Sequence, residues 1–272
     1  MSRVSRNDMV EDANALSGHD NSQAEMMAER CILVDLEDNM IGSESKLLCH
    51  NEDGFLHRAF SVLIFDSENR LLIQQRSYDK ITFPGIWANS CCSHPLDIDG
   101  ENGDSKEGCI NAAKRKLPQE LGIDQEVANS MEFSHLGSFQ YKCRWDDEWL
   151  ENEVDHVLMT RVDSLQLNPN ENEISNHKWI GPEEISEVME GTGQWKEQIV
   201  APWFRLLWKE FLEDEYPNLE NIVDRSGVVV FGEVGINADV ISPGSSLMGA
   251  LGEHREVVEK EILSSLSKIK QE

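Results

Sequence analysis

The stretch 47–96, LLCHNEDGFLHRAFSVLIFDSENRLLIQQRSYDKITFPGIWANSCCSHPL, decides how this chain is read. In it, the apolar runs AFSVLIFD and LLIQQRS flank the polar turn Ser67-Glu68-Asn69-Arg70, which predicts a hairpin. Thr82-Phe83-Pro84-Gly85 reads as a second turn and leads into an aromatic, Cys-rich segment that ends at Pro95. His50 and His57 stand on either side of the turn-like Asn51-Glu52-Asp53-Gly54, and His94 follows Cys92 by two.

On the N-terminal side, CILVDLEDNMIG from Cys31 reads as strand, polar turn, strand. Residues 1–28 are polar without a sustained period, and a disordered tail is expected there. On the C-terminal side, Ile110, Ala113, Leu117 and Leu121 recur at helical spacing, with Gly122 as the stop. HLGSFQYKCR and LENEVDHVLMTRV read as strands around Asp146-Asp147-Glu148, and HKWIG as a shorter one. Pro182 and Pro202 open helices, the second with an apolar stripe of Phe204, Leu207, Trp208 and Phe211. After Pro217 the character changes: GVVVFGEVGI reads as a strand, SPGSS as a linker, and Val258, Ile262, Leu266 and Ile269 as a helical stripe. Interleaved strands and helices with several hairpins predict an α/β (α+β) domain over 29–219, followed by a peripheral extension, 220–272.

Acids outnumber bases 51 to 24 in the 272 residues, a net charge of -27, so nucleic acid and anionic membranes are poor partners. The first twenty residues lack the apolar core of a signal peptide and carry early acids, so a soluble, cytoplasmic protein is expected. Against such an acidic background, any cluster of Lys and Arg is informative. The six cysteines have no regular framework spacing and read as free thiols.

Three imidazoles, His50, His57 and His94, could join two carboxylates, Glu151 and Glu153, around a divalent ion. Glu151 and Glu153 lie two apart on a predicted strand and so share a face, where like charges repel unless solvated or bridged by a cation. Each residue alone is more often a solvated or satisfied side chain than a ligand, and spacing does not bring together residues a hundred positions apart.

The stretch 47–96, the helix ending Gln119-Glu120-Leu121-Gly122, FQYKCRWDDEWLENEVD and IVAPWF together resemble the type I isopentenyl-diphosphate isomerases. The resemblance covers roughly residues 29–219. It implies a Nudix-like mixed sheet flanked by helices, and conversion of isopentenyl diphosphate to dimethylallyl diphosphate. It makes His50, His57, His94, Glu151 and Glu153 metal ligands for Zn²⁺, Mn²⁺ or Mg²⁺. Cys92 and Glu153 become the proton-handling pair, Tyr141 the partner of that glutamate, and Trp203 the aromatic beside the reacting carbons. Lys46, Arg76, Lys80 and Lys116 become the diphosphate-holding cations, and Glu120 the ligand of a Mg²⁺ that arrives with the diphosphate. Lys116 stands where the family commonly has Arg. Pro118 interrupts the helix carrying Glu120, at a cost of about 3 kcal/mol in a helix interior. The alternatives are a Nudix diphosphate hydrolase and a catalytically weakened metal-binding homologue. Lys116 and Gln119 in place of helix glutamates argue against the first, and the complete set Cys92, Glu153, Tyr141 and Trp203 argues against the second.

Overall fold

The computed structural model describes residues 16–51, 53–236 and 260. The SPGSS linker and the terminal stripe of Val258, Ile262, Leu266 and Ile269 lie outside the described residues. Asp20 caps the first described helix, α1 (Asn21–Met26), accepting from the N–H groups of Ser22 and Gln23. The described part of the stretch 1–28, where a disordered tail was expected, thus carries a capped helix. Six helical residues are marginal alone; here Gln23 and the adjacent Met27 are buried against the main body, which the local polarity could not reveal.

The strands β1 (Arg30–Val34) and β2 (Met40–Ser45) form an antiparallel pair, and α2 (Lys46–His50) follows directly. The central strand β3 (His57–Asp66) is buried along its whole length. It runs parallel to β8 (Leu150–Val162) in unbroken register from His57↔Glu153 to Asp66↔Val162. The predicted hairpin between β3 and β4 (Leu71–Arg76) exists, with Asp66 accepting from the N–H groups of Glu68 and Arg70 in the turn. Its strands pair only at Phe65↔Leu71. Thereafter β4 peels away to pair with β9 (Ile174–Ile180), because β3 is taken by β8 on one side and by β6 (Cys91–Ser93) and β1 on the other. The short β5 (Trp87–Ala88) joins β4, and with β7 (Ser134–Arg144) and β10 (Val228–Val234) the path across the sheet is β10-β7-β8-β3-β1-β2.

Each face of the sheet is covered. Phe60, Val62, Ile64 and Leu72 meet Ala113, Leu117 and Leu121 of α3 (Ser105–Leu121). Leu63, Phe65, Phe139 and Tyr141 meet Phe204, Leu207 and Phe211, which lie on α6 (Pro202–Leu207) and the wider turn after it. Burial of such side chains stabilises by about 1.5–3 kcal/mol each.

Helix α3 tolerates Pro118. The proline cannot donate to the Lys114 carbonyl, and the Gln125 side-chain amide from α4 (Gln125–Ser130) donates to that carbonyl instead, at 3.2 Å. Gly122 ends the helix at φ +64°, and a Cβ there would sit 1.9 Å from the Asn168 carbonyl oxygen, so only glycine fits. The Pro182 helix is also present as α5 (Pro182–Glu190).

The expected strand near residue 230 is β10 (Val228–Val234). It pairs in parallel with β7 (Ser134–Arg144), from Val228↔Ser138 to Val234↔Cys143. Val230 and Val234 are buried, and Phe231 stacks edge-on against Phe139. This part of the extension is an integral edge of the sheet rather than a peripheral appendage.

Candidate active site

The register of β3 with β8 places His57 beside Glu153. His50 closes α2, and His94 follows β6. The His50 and His57 Nδ1 atoms lie 2.8 Å from the carbonyl oxygens of Lys46 and Phe55. A carbonyl can only accept, so each ring donates from Nδ1 and keeps a lone pair on Nε2. The three Nε2 atoms lie 3.8, 3.5 and 2.8 Å from Glu153 Oε1, for His50, His57 and His94 respectively. All four ligand atoms fall within 4.8 Å of one another, and all four residues are buried. The His57 Nε2 atom has no hydrogen-bond partner. Donors about 2.1 Å from a shared ion stand about 3.3 Å apart, so this spacing and the orphaned nitrogen fit a divalent cation.

The electrostatics agree. Burial pushes the His50 imidazole well below its usual range and the His94 imidazole down to about 3. Burial also opposes a charge on His57, but the Glu153 carboxylate overrides it and raises that imidazole. Burial would raise Glu153, yet the adjoining His57 and His94 imidazoles hold it well below the carboxylate range.

The expected fifth ligand, Glu151, stands outside this quartet. It lies on the same strand face, but its Oε2 is 2.6 Å from the Tyr141 hydroxyl, which is also 2.8 Å from Glu153 Oε2. One hydroxyl hydrogen cannot serve two carboxylates. Burial, then the neighbouring Glu153 charge, raises Glu151 to about 8. A protonated Glu151 donates to Tyr141, and Tyr141 donates to Glu153.

Successive residues of β6 face opposite ways. Cys91 points towards α3, its thiol 3.4 Å from Glu120 Oε2. Cys92 lines the pocket, accepts from the Trp203 indole N–H at 3.1 Å and donates to Asn89 Oδ1 at 3.0 Å. Burial pushes the Cys92 thiol strongly up, so it carries its proton. Arg76 donates to the carbonyls of Thr82 and Phe83, which holds its guanidinium 5.7 Å from the Trp203 ring centre. Lys116 pairs with Glu120 at 3.2 Å, and Lys80 pairs with Glu173.

Cys92, Trp203, Arg76 and the two lysine–glutamate pairs, with Lys46, Tyr141, Glu151 and Glu153, line one pocket. The structure thus brings every sequence-predicted site residue to one place. The lining residues that were not anticipated include Gln23, Asp155 and Glu173. Asp155 had a signal, since it continues the alternation Glu151, Glu153 along β8. It is buried, accepts from the Ser61 hydroxyl at 2.7 Å, and its Oδ1 is unpartnered.

A family model described as NUDIX domain matches residues 55–204. Isopentenyl-diphosphate Delta-isomerase 1 of Mus musculus is 43% identical over 210 residues, which span 75% of this chain and 91% of the mouse protein. The chain belongs to the isopentenyl-diphosphate Delta-isomerase family. The isomerase of Gibberella zeae is 40% identical over 77% of this chain and 84% of its own length. That of Dictyostelium discoideum is 39% identical over 75% and 89%. As in the resemblance read from the sequence, this isomerase-family chain carries Glu120 at the end of α3. Lys116, one turn earlier, adds a cation on the same helix. No helix among the described residues is long and apolar enough to cross a membrane.

Proposed function

We propose that this chain converts isopentenyl diphosphate to dimethylallyl diphosphate by adding a proton at one carbon and removing one from another. What carries the reading is the meeting, in one buried pocket, of a protonated thiol, Cys92, and an ionised carboxylate, Glu153. Moving a double bond needs an acid and a base, and a tertiary cation between them needs protection from water. The Trp203 indole and the surrounding aromatic core supply a face that stabilises positive charge without reacting with it. Tyr141 orients Glu153 and links it to Glu151, so the Glu151 proton has a path to Glu153. Lys46, Arg76, Lys80 and Lys116 receive the diphosphate.

His50, His57, His94 and Glu153 would hold Zn²⁺, Mn²⁺ or Mg²⁺, and Glu120 would hold Mg²⁺ accompanying the diphosphate. When bound, these ions supply positive charge that fixes Glu153 and neutralises the phosphates. Neither nucleic acid nor membrane is a partner in this reading, and a cytoplasmic location suits a substrate of this polarity. A hydrolase would need several water-activating carboxylates on α3, where Lys116 and Gln119 stand instead.

The test is an assay of double-bond migration on isopentenyl diphosphate, with and without a strong chelator. Dimethylallyl diphosphate should form without chelator and cease with it. Release of inorganic phosphate or diphosphate with no isomer would overturn the reading.

A further inference from the structure

The cation end of the pocket contains a carboxylate that the isomerisation chemistry does not use. Glu173 sits at the end of the 163–173 loop, just before β9, and is almost fully buried. Its Oε2 pairs with the Lys80 ammonium. Its Oε1 accepts from the Gln23 side-chain amide at 3.0 Å, and the same amide donates to the Asn172 carbonyl at 3.0 Å. The Asn172 side chain in turn donates to the Ser22 hydroxyl at 3.1 Å. The Glu173 backbone carbonyl accepts from Ser77 N–H at 2.9 Å, which anchors the start of the loop carrying Lys80. One residue thus joins three segments far apart in sequence: α1, the β4–β5 loop and the entry to β9.

A buried carboxylate needs compensating charge. Burial alone would raise Glu173, yet Lys80, then Lys116, then Lys46 hold it down to about 2. The dependence is mutual. Lys46 is pushed down by burial and by the charges of Lys80 and Lys116, so this group of ammoniums is self-repelling. A lysine stem has four rotatable bonds, and without a fixed anion its ammonium would move away from its neighbours towards solvent.

Resting on the reading of this pocket as a diphosphate site, we propose that Glu173 is its positioning residue. It fixes the Lys80 ammonium beside Lys46 and Lys116, and it holds α1 over the same end of the pocket through Gln23. Gln23, Met26 and Met27 are the α1-side residues of the lining, so this tether sets how the cation end is walled. Glu173 acts through Lys80 and does not touch the reacting carbons.

The opposite role is physically conceivable: a carboxylate among lysines could compete with the diphosphate. The two roles predict opposite signs. A positioning residue makes Glu173→Gln bind diphosphate more weakly, whereas a competitor makes it bind more tightly.

The experiment compares the parent chain, E173Q, K80A and E173Q/K80A, each full length. Inorganic diphosphate binding is measured by calorimetry with Mg²⁺ present, alongside steady-state isomerisation. For E173Q we expect about tenfold weaker diphosphate binding and about tenfold higher KM, with kcat within threefold. In the K80A background, adding E173Q should change diphosphate binding by less than twofold, because the group being positioned is gone. Unchanged or tighter binding by E173Q overturns the proposal, as does full additivity in the double variant. If E173Q is unfolded, Q23A keeps the proposal open to refutation: it cuts the α1 tether alone and should raise KM two- to fivefold, and an unchanged KM overturns that part. A parent chain that binds diphosphate but forms no isomer would sink the proposed reaction while leaving the role of Glu173 measurable by calorimetry.

Discussion

Two charged clusters share one pocket, and they are built on opposite plans. In the His50, His57, His94 and Glu153 cluster, the backbone carbonyls of Lys46 and Phe55 turn two imidazoles so that lone pairs converge. In the lysine cluster, the charges are already paired with protein carboxylates, Lys80 with Glu173 and Lys116 with Glu120. The first is prepared for a cation that it cannot itself supply. The second already holds two of its ammoniums beside protein carboxylates, so an arriving diphosphate meets cations that are fixed in place. Converging lone pairs suit a cation, and ammoniums held in place by carboxylates suit an anion.

The largest expected effect tests the chemistry between the two clusters. Cys92→Ala and Glu153→Gln should each lower kcat by roughly 10³-fold or more, with folding retained. Cys91→Ser should be far milder, because Cys91 faces Glu120 and the α3 side. Near-normal turnover by C92A in a steady-state assay would remove the acid–base role from that face of β6.

The lysine cluster should answer differently. Loss of a charged hydrogen bond of about 1.5–3 kcal/mol predicts that Lys80→Ala raises KM about 10- to 100-fold with kcat little changed. An equal fall in kcat would mean that the cation end also acts on the reacting carbons, which would dissolve the contrast.

Protons should separate the clusters too. The His57 imidazole is raised by Glu153, so protons compete with a metal ion as pH falls through and below the usual imidazole range. Metal affinity should therefore be lower at pH 5.5 than at pH 7.5, read by competition with a chromogenic chelator. Glu173 answers lower down. Its pKa falls from 4.5 to about 2 on folding, so its stabilisation is complete above about pH 4.5 and is lost as pH falls towards 2. The stability gap between the parent chain and E173Q should thus narrow between pH 6 and pH 3, measured by denaturant melts.

The smallest effect on turnover is expected at the sheet edge. Deleting residues 226–272 removes β10, uncovering β7 and the buried contacts of Val230 and Val234. The melting temperature should drop by several degrees, with turnover per folded molecule within tenfold. A larger loss would mean that β10 holds Tyr141 in place across its register with Gly232.

How much of this was legible in the sequence differs between the clusters. His50, His57, His94 and Glu153 became visible together only through the resemblance, because their convergence depends on a parallel register that no local pattern encodes. Asp155 was within reach of period-two reading. Glu173 was not: in the run NPNENEIS it is one of two acids, and only the fold buries it beside Lys80. Gln23 was hidden by the opposite error, since a polar segment without period was taken for a tail. Likewise Pro118 looked costly because the Gln125 amide that replaces its hydrogen bond comes from the next helix. Local apolar periods announced β3, β7, β8 and α3, whereas ion pairs between distant segments leave no such trace.

The parallel register of β3 and β8 also governs when the site can exist as the chain folds. His57 and Glu153 are neighbours in space and 96 positions apart in sequence. Contacts of such separation form only after the loop between them has been closed, and topologies rich in them fold slowly. The β3–β8 ladder spans ten registered pairs, with every residue of β3 buried. Its amides should be among the last to exchange with solvent in the native protein. A folding intermediate that has formed the β7–β8 hairpin but not this ladder would contain Glu153 and Tyr141 in place and yet no metal site. The appearance of the quartet is therefore a late event in folding, and slow-exchanging β3 amides would mark the molecules in which it is complete.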